Sequence, residues 1–287
     1  MRKLEEFVNE KLKVGGNKHI YYPNSKKELI DIIINEIETN GPDCSLNHIN
    51  VSHITDMSYL FRGGNDIEYY HGHPVLSKFD GDISDWNVSN VTDMRFMFAG
   101  SKYSGNNGDI SDWNVSNVTN MKGMFKFSNY NGDISRWDVS AVTNMAHMFM
   151  GSKYTGDNGD ISDWDVSNVT NMSAMFADSK YNGDISGWDV SAVTNMKNMF
   201  KISTFTGDIS DWDVSNVTDM SEMFSVSVFN GDISNWDVSK VESMDGMFFY
   251  SKFDGDISDW NVSRLKSMGD IFKLSPLANN PPKWYKK

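Results

Sequence analysis

Eight near-identical copies of one short unit, Gly-Asp-Ile-Ser-x-Trp-x-Val-Ser-x-Val-x-x-Met-x-x-Met-Phe, constrain what this chain can fold into. They begin at Gly81, Gly108, Gly132, Gly159, Gly183, Gly207, Gly231 and Gly255, in steps of 27, 24, 27, 24, 24, 24 and 24 residues. A sequence that repeats at this period builds one supersecondary unit per repeat and buries its core only by stacking the units. The two longer steps carry inserts around Ser104-Gly105-Asn106 and Thr155-Gly156-Asp157. A degenerate earlier copy places Leu46, Ile49, Val51, Ile54, Met57 and Phe61 in the apolar slots, giving about nine coils in all.

The pattern within one coil predicts its local structure. Trp86-x-Val88 alternates, so a short strand with both side chains inward is expected. Val91, Met94, Met97 and Phe98 fall at i, i+3, i+6 and i+7, the spacing of a short helical turn with Thr92 as its N-cap. Gly at the Asn131-Gly132 type of dipeptide turns the chain, and Phe79, Tyr130, Tyr181, Phe205, Phe229 and Phe253 close the coil. The expected fold class is therefore an α/β repeat, a right-handed leucine-rich-repeat-like solenoid with a parallel sheet of short strands and helical turns opposite. The Trp column reads as core and not as an exposed aromatic track, because each Trp shares its face with a Val.

The flanks divide the chain further. Residues 1–43 read as an N-terminal helical cap. An amphipathic helix over 3–13 carries Leu4, Phe7, Val8 and Leu12, and a second runs from Ser25 to Thr39 with a Ser25/Glu28 capping box and Gly41 as its stop. Residues 44–277 form the array, interrupted by an insert over 62–76, and residues 278–287 read as a tail.

The charge balance is 26 Lys+Arg against 39 Asp+Glu, a formal net charge of -13. That disfavours nucleic acid and anionic membrane as main partners, since both require a basic surface. The one cysteine, Cys44, allows no intramolecular disulfide and no thiolate metal cluster. Glu5, Glu6 and Glu10 interrupt the opening segment, and no apolar run approaches the ~20 residues of a membrane span. The sequence as written is expected to have no signal peptide and no membrane insertion: cytoplasmic, or virion-associated if phage-encoded.

No catalytic signature is visible: no nucleophile elbow, phosphate loop or dinucleotide fingerprint. An enzyme is not expected, nor a cofactor, nor a bound metal. His71 and His73 lack an evident third ligand. The Gly-Asp aspartates, Asp82, Asp109, Asp133, Asp160, Asp184, Asp208, Asp232 and Asp256, are expected to accept backbone N–H groups in their turns. Calcium between coils is the alternative. The Asn-x-Ser/Thr triplets read as repeat chemistry, not glycosylation sites.

A partner surface is sought in residues the core does not need. Those flanking each Trp face outward on the expected strand: Asp85, Asn87, Asp112, Asn114, Arg136, Asp138, Asp163, Asp165, Asp189, Asp211, Asp213, Asp237 and Asp259 form an acidic concave strip. It suits a protein or glycan ligand that is basic or rich in hydroxyls. The positions that vary most among copies lie instead in the Met segment, as in Arg95-Phe96, Lys122-Gly123, Ala146-His147, Lys197-Asn198, Ser221-Glu222 and Asp245-Gly246. They mark a second candidate face.

The unit Asp-Ile-Ser-x-Trp-Asp-Val-Ser-x-Val-Thr-x-Met-x-x-Met-Phe resembles the BspA-like leucine-rich-repeat family, over roughly residues 44–277. The resemblance implies a leucine-rich solenoid and, for some members, adhesion or host-protein binding. It supplies no catalytic residues. The opening Phe-Val-Asn-Glu-Lys-Leu-Lys-Val is similar to the start of some gut-bacterial phage proteins, which implies a phage-encoded member. The leading functional expectation is a non-enzymatic binding scaffold, with a structural or virion-associated rod as the alternative.

Overall fold

A computed structural model describes residues 19–63 and 73–285. Consecutive repeats stack in register, one coil on the next, around a continuous column of apolar side chains. The Ile, Trp, Val, Val, Met, Met and Phe of the first seven units are buried, as are the ring-bearing residues that close the coils, while in the last unit Val262, Leu265 and Met268 are only partly buried. Phe61, Phe98, Phe125, Phe149, Phe176, Phe200, Phe224, Phe248 and Phe272 form one ring stack, with centroids 5.5–6.0 Å apart between successive coils. Rings at this spacing, nearly parallel, gain from offset stacking as well as from burial.

The expected parallel sheet and helical turns are absent among the described residues. Among the described residues there is one α-helix, α1 (Lys26–Asn40), and two single 3-10 turns, Leu76–Lys78 and Pro276–Ala278. Among the described residues the ladder pairing consists of isolated parallel bridges: one from Tyr21 to Ile49, and one per coil step along the series Asp56, Asp93, Asn120, Asn144, Asn171, Asn195, Asp219, Ser243, Ser267. Trp-x-Val is not a strand because the chain turns on both sides of it. The Trp86 N–H closes a turn onto the Ile83 carbonyl at 3.2 Å, and the Val91 N–H closes another onto Val88 at 2.9 Å.

The Met-x-x-Met-Phe segment is not a helix either. The N–H groups of Met94, Phe96, Phe98 and Gly100 donate to Asn120, Lys122, Met124 and Lys126 of the next coil, at 2.7–3.0 Å. In a helix they would bond within their own segment. Between them Met97 and Ala99 close four-residue β-turns onto Met94 and Phe96. The spacing of three, read as helical, is the spacing of consecutive β-turns. Thr92 is no N-cap: its N–H and its hydroxyl both donate to the Thr55 carbonyl one coil back.

Short polar side chains fix these turns. Up to three times per coil an Asp or Asn accepts the N–H two residues on, the geometry of an Asx-turn. The first set is the Gly-Asp aspartates onto Ser84, Ser111, Ser135, Ser162, Ser186, Ser210, Ser234 and Ser258, at 2.8–2.9 Å. A buried serine makes a fourth such turn, as in Ser101 onto the Tyr103 N–H at 3.0 Å. Each Trp indole then ties its coil to the previous one: Trp188 Nε1 donates to the Ile161 carbonyl at 3.0 Å, and the other Trp residues repeat the bond.

Both ends of the described stack are closed by non-repeat chain. Ser25 accepts the Glu28 N–H, Gly41 ends α1 at φ 91°, and Leu29, Ile33 and Ile37 press into the first coil's core. The segment 3–13, read as a first helix, lies outside the described residues. At the other end Trp284, within the segment read as a tail, takes the place of a further repeat Trp. Its Nε1 donates to Ile257, and its ring lies 6.4 Å from that of Trp260, tilted by 11°.

Candidate interaction surface

The thirteen residues of the predicted strip are all exposed and lie along one edge, on either side of the buried Trp column. Their chemistry has a local purpose that the strand reading hid. Asn87, Asn114, Asp138, Asp165, Asp189, Asp213 and Asp237 each accept the N–H of the serine two residues on, at 2.9–3.1 Å. Asp and Asn recur there because the turn requires a short acceptor. The residues before Trp sit at the tip of the Ile-Ser-x-Trp turn. There Arg136 bridges to Asp112 at 2.8 Å and to Ser111 at 2.7 Å. The strip survives as an exposed acidic edge, but composition no longer singles out its post-Trp half.

The Gly-Asp column is likewise held by backbone. The Ser N–H groups hold the carboxyls of Asp184, Asp208, Asp232 and Asp256 below the usual carboxylate range. Among the described residues no three His, Cys, Asp or Glu side chains converge as a metal-holding group. The His71/His73 pair falls partly outside the described residues. Burial pushes the Cys44 thiol up, away from a reactive thiolate. The Asn-x-Ser/Thr triplets act between coils. Asn117 Nδ2, for example, donates to the Ser89 carbonyl at 2.8 Å.

The turn face built by the Met-Phe segment is different. From the second coil on, two positions per coil adopt left-handed backbone, the second residue after the first Met and the second after Phe. Glycine fits there without strain, and Gly100, Gly123, Gly151 and Gly246 occupy four of these places. In four successive coils the post-Phe position instead holds Ile202, Val226, Tyr250 and Leu274, at φ 57°, 56°, 51° and 61°. They are 48%, 39%, 59% and 64% exposed. A β-branched residue in this region is a true outlier, costing about 1–3 kcal/mol, and such outliers persist at functional positions. Stacking alone does not ask for it: an earlier coil has Asp178 in the same place at φ 52°.

Further toward the N-terminus the same face becomes basic and aromatic. The Tyr59 and Phe96 rings stack at 5.3 Å. Arg62 lies over both at 5.4 and 5.7 Å, Lys122 lies 5.9 Å from Phe96, and Lys126 lies 5.3 Å from Phe127. Part of this is structural, because Phe96 covers Gly123 and Phe127 covers Gly151. A Cβ added at either glycine would fall 2.3 or 2.2 Å from the ring. Burial, with Arg62 and Lys122 nearby, pulls Lys126 below the usual lysine range. Burial and the same two lysines lower His147, whose Nδ1 is enclosed without a partner. The sequence pointed to this face through its variable Met positions, but missed the post-Phe column, whose signal was a run of large apolar residues where earlier copies have Gly100, Phe127, Gly151 and Asp178.

The model of a family described as Mycoplasma protein of unknown function, DUF285, matches residues 35–155, 68–184, 126–225 and 181–285. The chain belongs to the DUF285 family. Together the four overlapping matches run from residue 35 to residue 285, and each of them spans several of the stacked coils. The narrower BspA-like and phage resemblances go beyond that match. No curated protein and no solved structure matches the chain. No helix among the described residues is long and apolar enough to cross a membrane.

Proposed function

We propose that this DUF285 protein is a non-enzymatic repeat scaffold that binds another macromolecule along its Met-Phe turn face. One observation carries the reading: the column Ile202, Val226, Tyr250 and Leu274, exposed and in left-handed backbone, where the repeat tolerates Gly or Asp. Contiguous exposed apolar side chains on a chain of net charge -13 mark an interaction site more often than chance exposure. Adhesion, as attached to the BspA-like resemblance, is the narrower form of this reading. A rod serving as a spacer needs no distinctive face, so the column weighs against that alternative. The acidic Trp-flanking edge, with Asp163, Asp211 and Asp259, is a secondary candidate for a basic or hydroxyl-rich ligand.

The test changes Ile202, Val226, Tyr250 and Leu274 together to Asn, which enters left-handed backbone readily. Native and variant proteins are immobilised and exposed to the same cell extract and glycan panel. A ligand retained by the native protein and lost by the variant supports the reading. Ligands held equally by both, but lost on charge reversal at Asp163, Asp165, Asp189 and Asp211, move the site to the acidic edge.

A further inference from the structure

The turn face is not uniform, and its two ends differ in a way that selects a ligand class. Its C-terminal coils present the apolar column, and its N-terminal coils present Lys122 and Lys126 beside Phe96 and Phe127. Among the described residues no carboxylate pairs with either lysine, while Arg95 pairs with Asp93 at 3.1 Å. From Phe127 to Leu274 the face crosses six coil steps, over which the buried Phe rings beneath it are spaced 5.8–6.0 Å apart. That is roughly 35 Å, the reach of about eleven residues of extended chain at ~3.3 Å each.

Resting on the scaffold reading, we propose that the occupant is an extended segment of another polypeptide. It lays apolar side chains on Ile202, Val226, Tyr250 and Leu274 and brings carboxylates to Lys122 and Lys126. Glycans and nucleic acids carry anionic groups but not large aliphatic side chains, so neither matches both ends of one face. A second copy of this chain is the weaker occupant. Four half-exposed side chains, only one of them aromatic, offer at most roughly 500 Å² even at the ~150–250 Å² of a whole aromatic side chain. A standard interface needs about 800 Å² per partner. The chain's own acidity adds selectivity, since a densely charged polyanion is repelled by the remaining faces while a short segment with a few carboxylates meets only the local cations.

The experiment pans a random twelve-residue peptide display library on the full-length native chain and, in parallel, on the quadruple Asn variant. Enriched peptides are resynthesised and titrated. The expected result is peptides with spaced apolar residues and Asp or Glu toward one end, binding the quadruple variant at least tenfold more weakly. The double variant K122A/K126A should bind them a fewfold more weakly, with a shallower salt dependence. If the quadruple variant unfolds, the pair Tyr250→Asn and Leu274→Asn replaces it. No peptide enriched on the native chain over the variant would overturn the proposal. So would a dimer, seen by light scattering, that the quadruple variant abolishes, since the occupant is then a second copy. A glycan captured through the same column would overturn the polypeptide inference and leave the scaffold reading standing.

Discussion

The Trp284 indole N–H donates to the Ile257 carbonyl at 2.7 Å, as Trp260 donates to Ile233 at 3.1 Å one coil earlier. A residue outside the repeat thus completes the repeat's own bonding pattern and covers the last Trp of the column. Trp284 is only partly buried. Its replacement by Ala should lower stability by about 1–2 kcal/mol, less than an interior Trp. Equilibrium denaturation reads the difference, and a wild-type midpoint for Trp284→Ala would show that the contact contributes nothing.

The interior comparison is Trp188, 3% exposed and bonded to Ile161. Trp188→Ala should cost about 3–5 kcal/mol, the range for large-to-small changes in a packed core. Native Trp emission should be blue-shifted. Emission typical of water-exposed indole would contradict the buried column.

The Gly-Asp carboxylates predict an acid response. Asp184, Asp208, Asp232 and Asp256 are held below their ordinary range by the N–H two residues on. A depressed folded-state pKa stabilises above the unfolded value, and that contribution is lost as pH falls through the folded value. The denaturation midpoint should therefore hold from pH 7 to about 5 and drop below about 4, the ordinary Asp range. Asn can supply the same acceptor, as Asn114 does to Ser116 at 3.1 Å. Asp232→Asn should keep neutral-pH stability and blunt the acid loss, whereas Asp232→Ala should lose the turn. Equal damage from both would mean that charge, and not turn capping, is what the position supplies.

Gly151, at φ 62°, lies beneath the Phe127 ring. Gly151→Ala should destabilise by about 1–2 kcal/mol through backbone strain and the ring clash together. In a Phe127→Ala background only the strain remains, so the cost should shrink. A double-mutant cycle measures this, and additive effects would show that the ring and the glycine do not interact.

The repeat made the stack legible from sequence. Ile83, Trp86, Val88, Met94 and Phe98 were read as core and are buried. The sheet and helical turns were misread because period rules attribute alternation to strands and a spacing of three to helices. Here Asp and Asn side chains that accept the N–H two residues on, from a Ser around the Trp and from Arg95, Lys122 or Ala146 in the Met segment, impose turns that mimic both spacings. The thirteen strip residues were located on an exposed edge, but half of them proved to be caps of their own turns. The apolar column at Ile202 and Val226 escaped notice because its significance rests on left-handed backbone, which emerges only once the coils are stacked.

The central claim is that this column serves a ligand and not the fold, and the stability of the quadruple Asn variant tests it most directly. Removing two strained β-branched residues offsets the small loss of partial burial, so the unfolding midpoint should match or exceed that of the native chain. A loss of several kcal/mol, on the scale of core truncation, would show that Ile202, Val226, Tyr250 and Leu274 hold the coils together and would contradict the account.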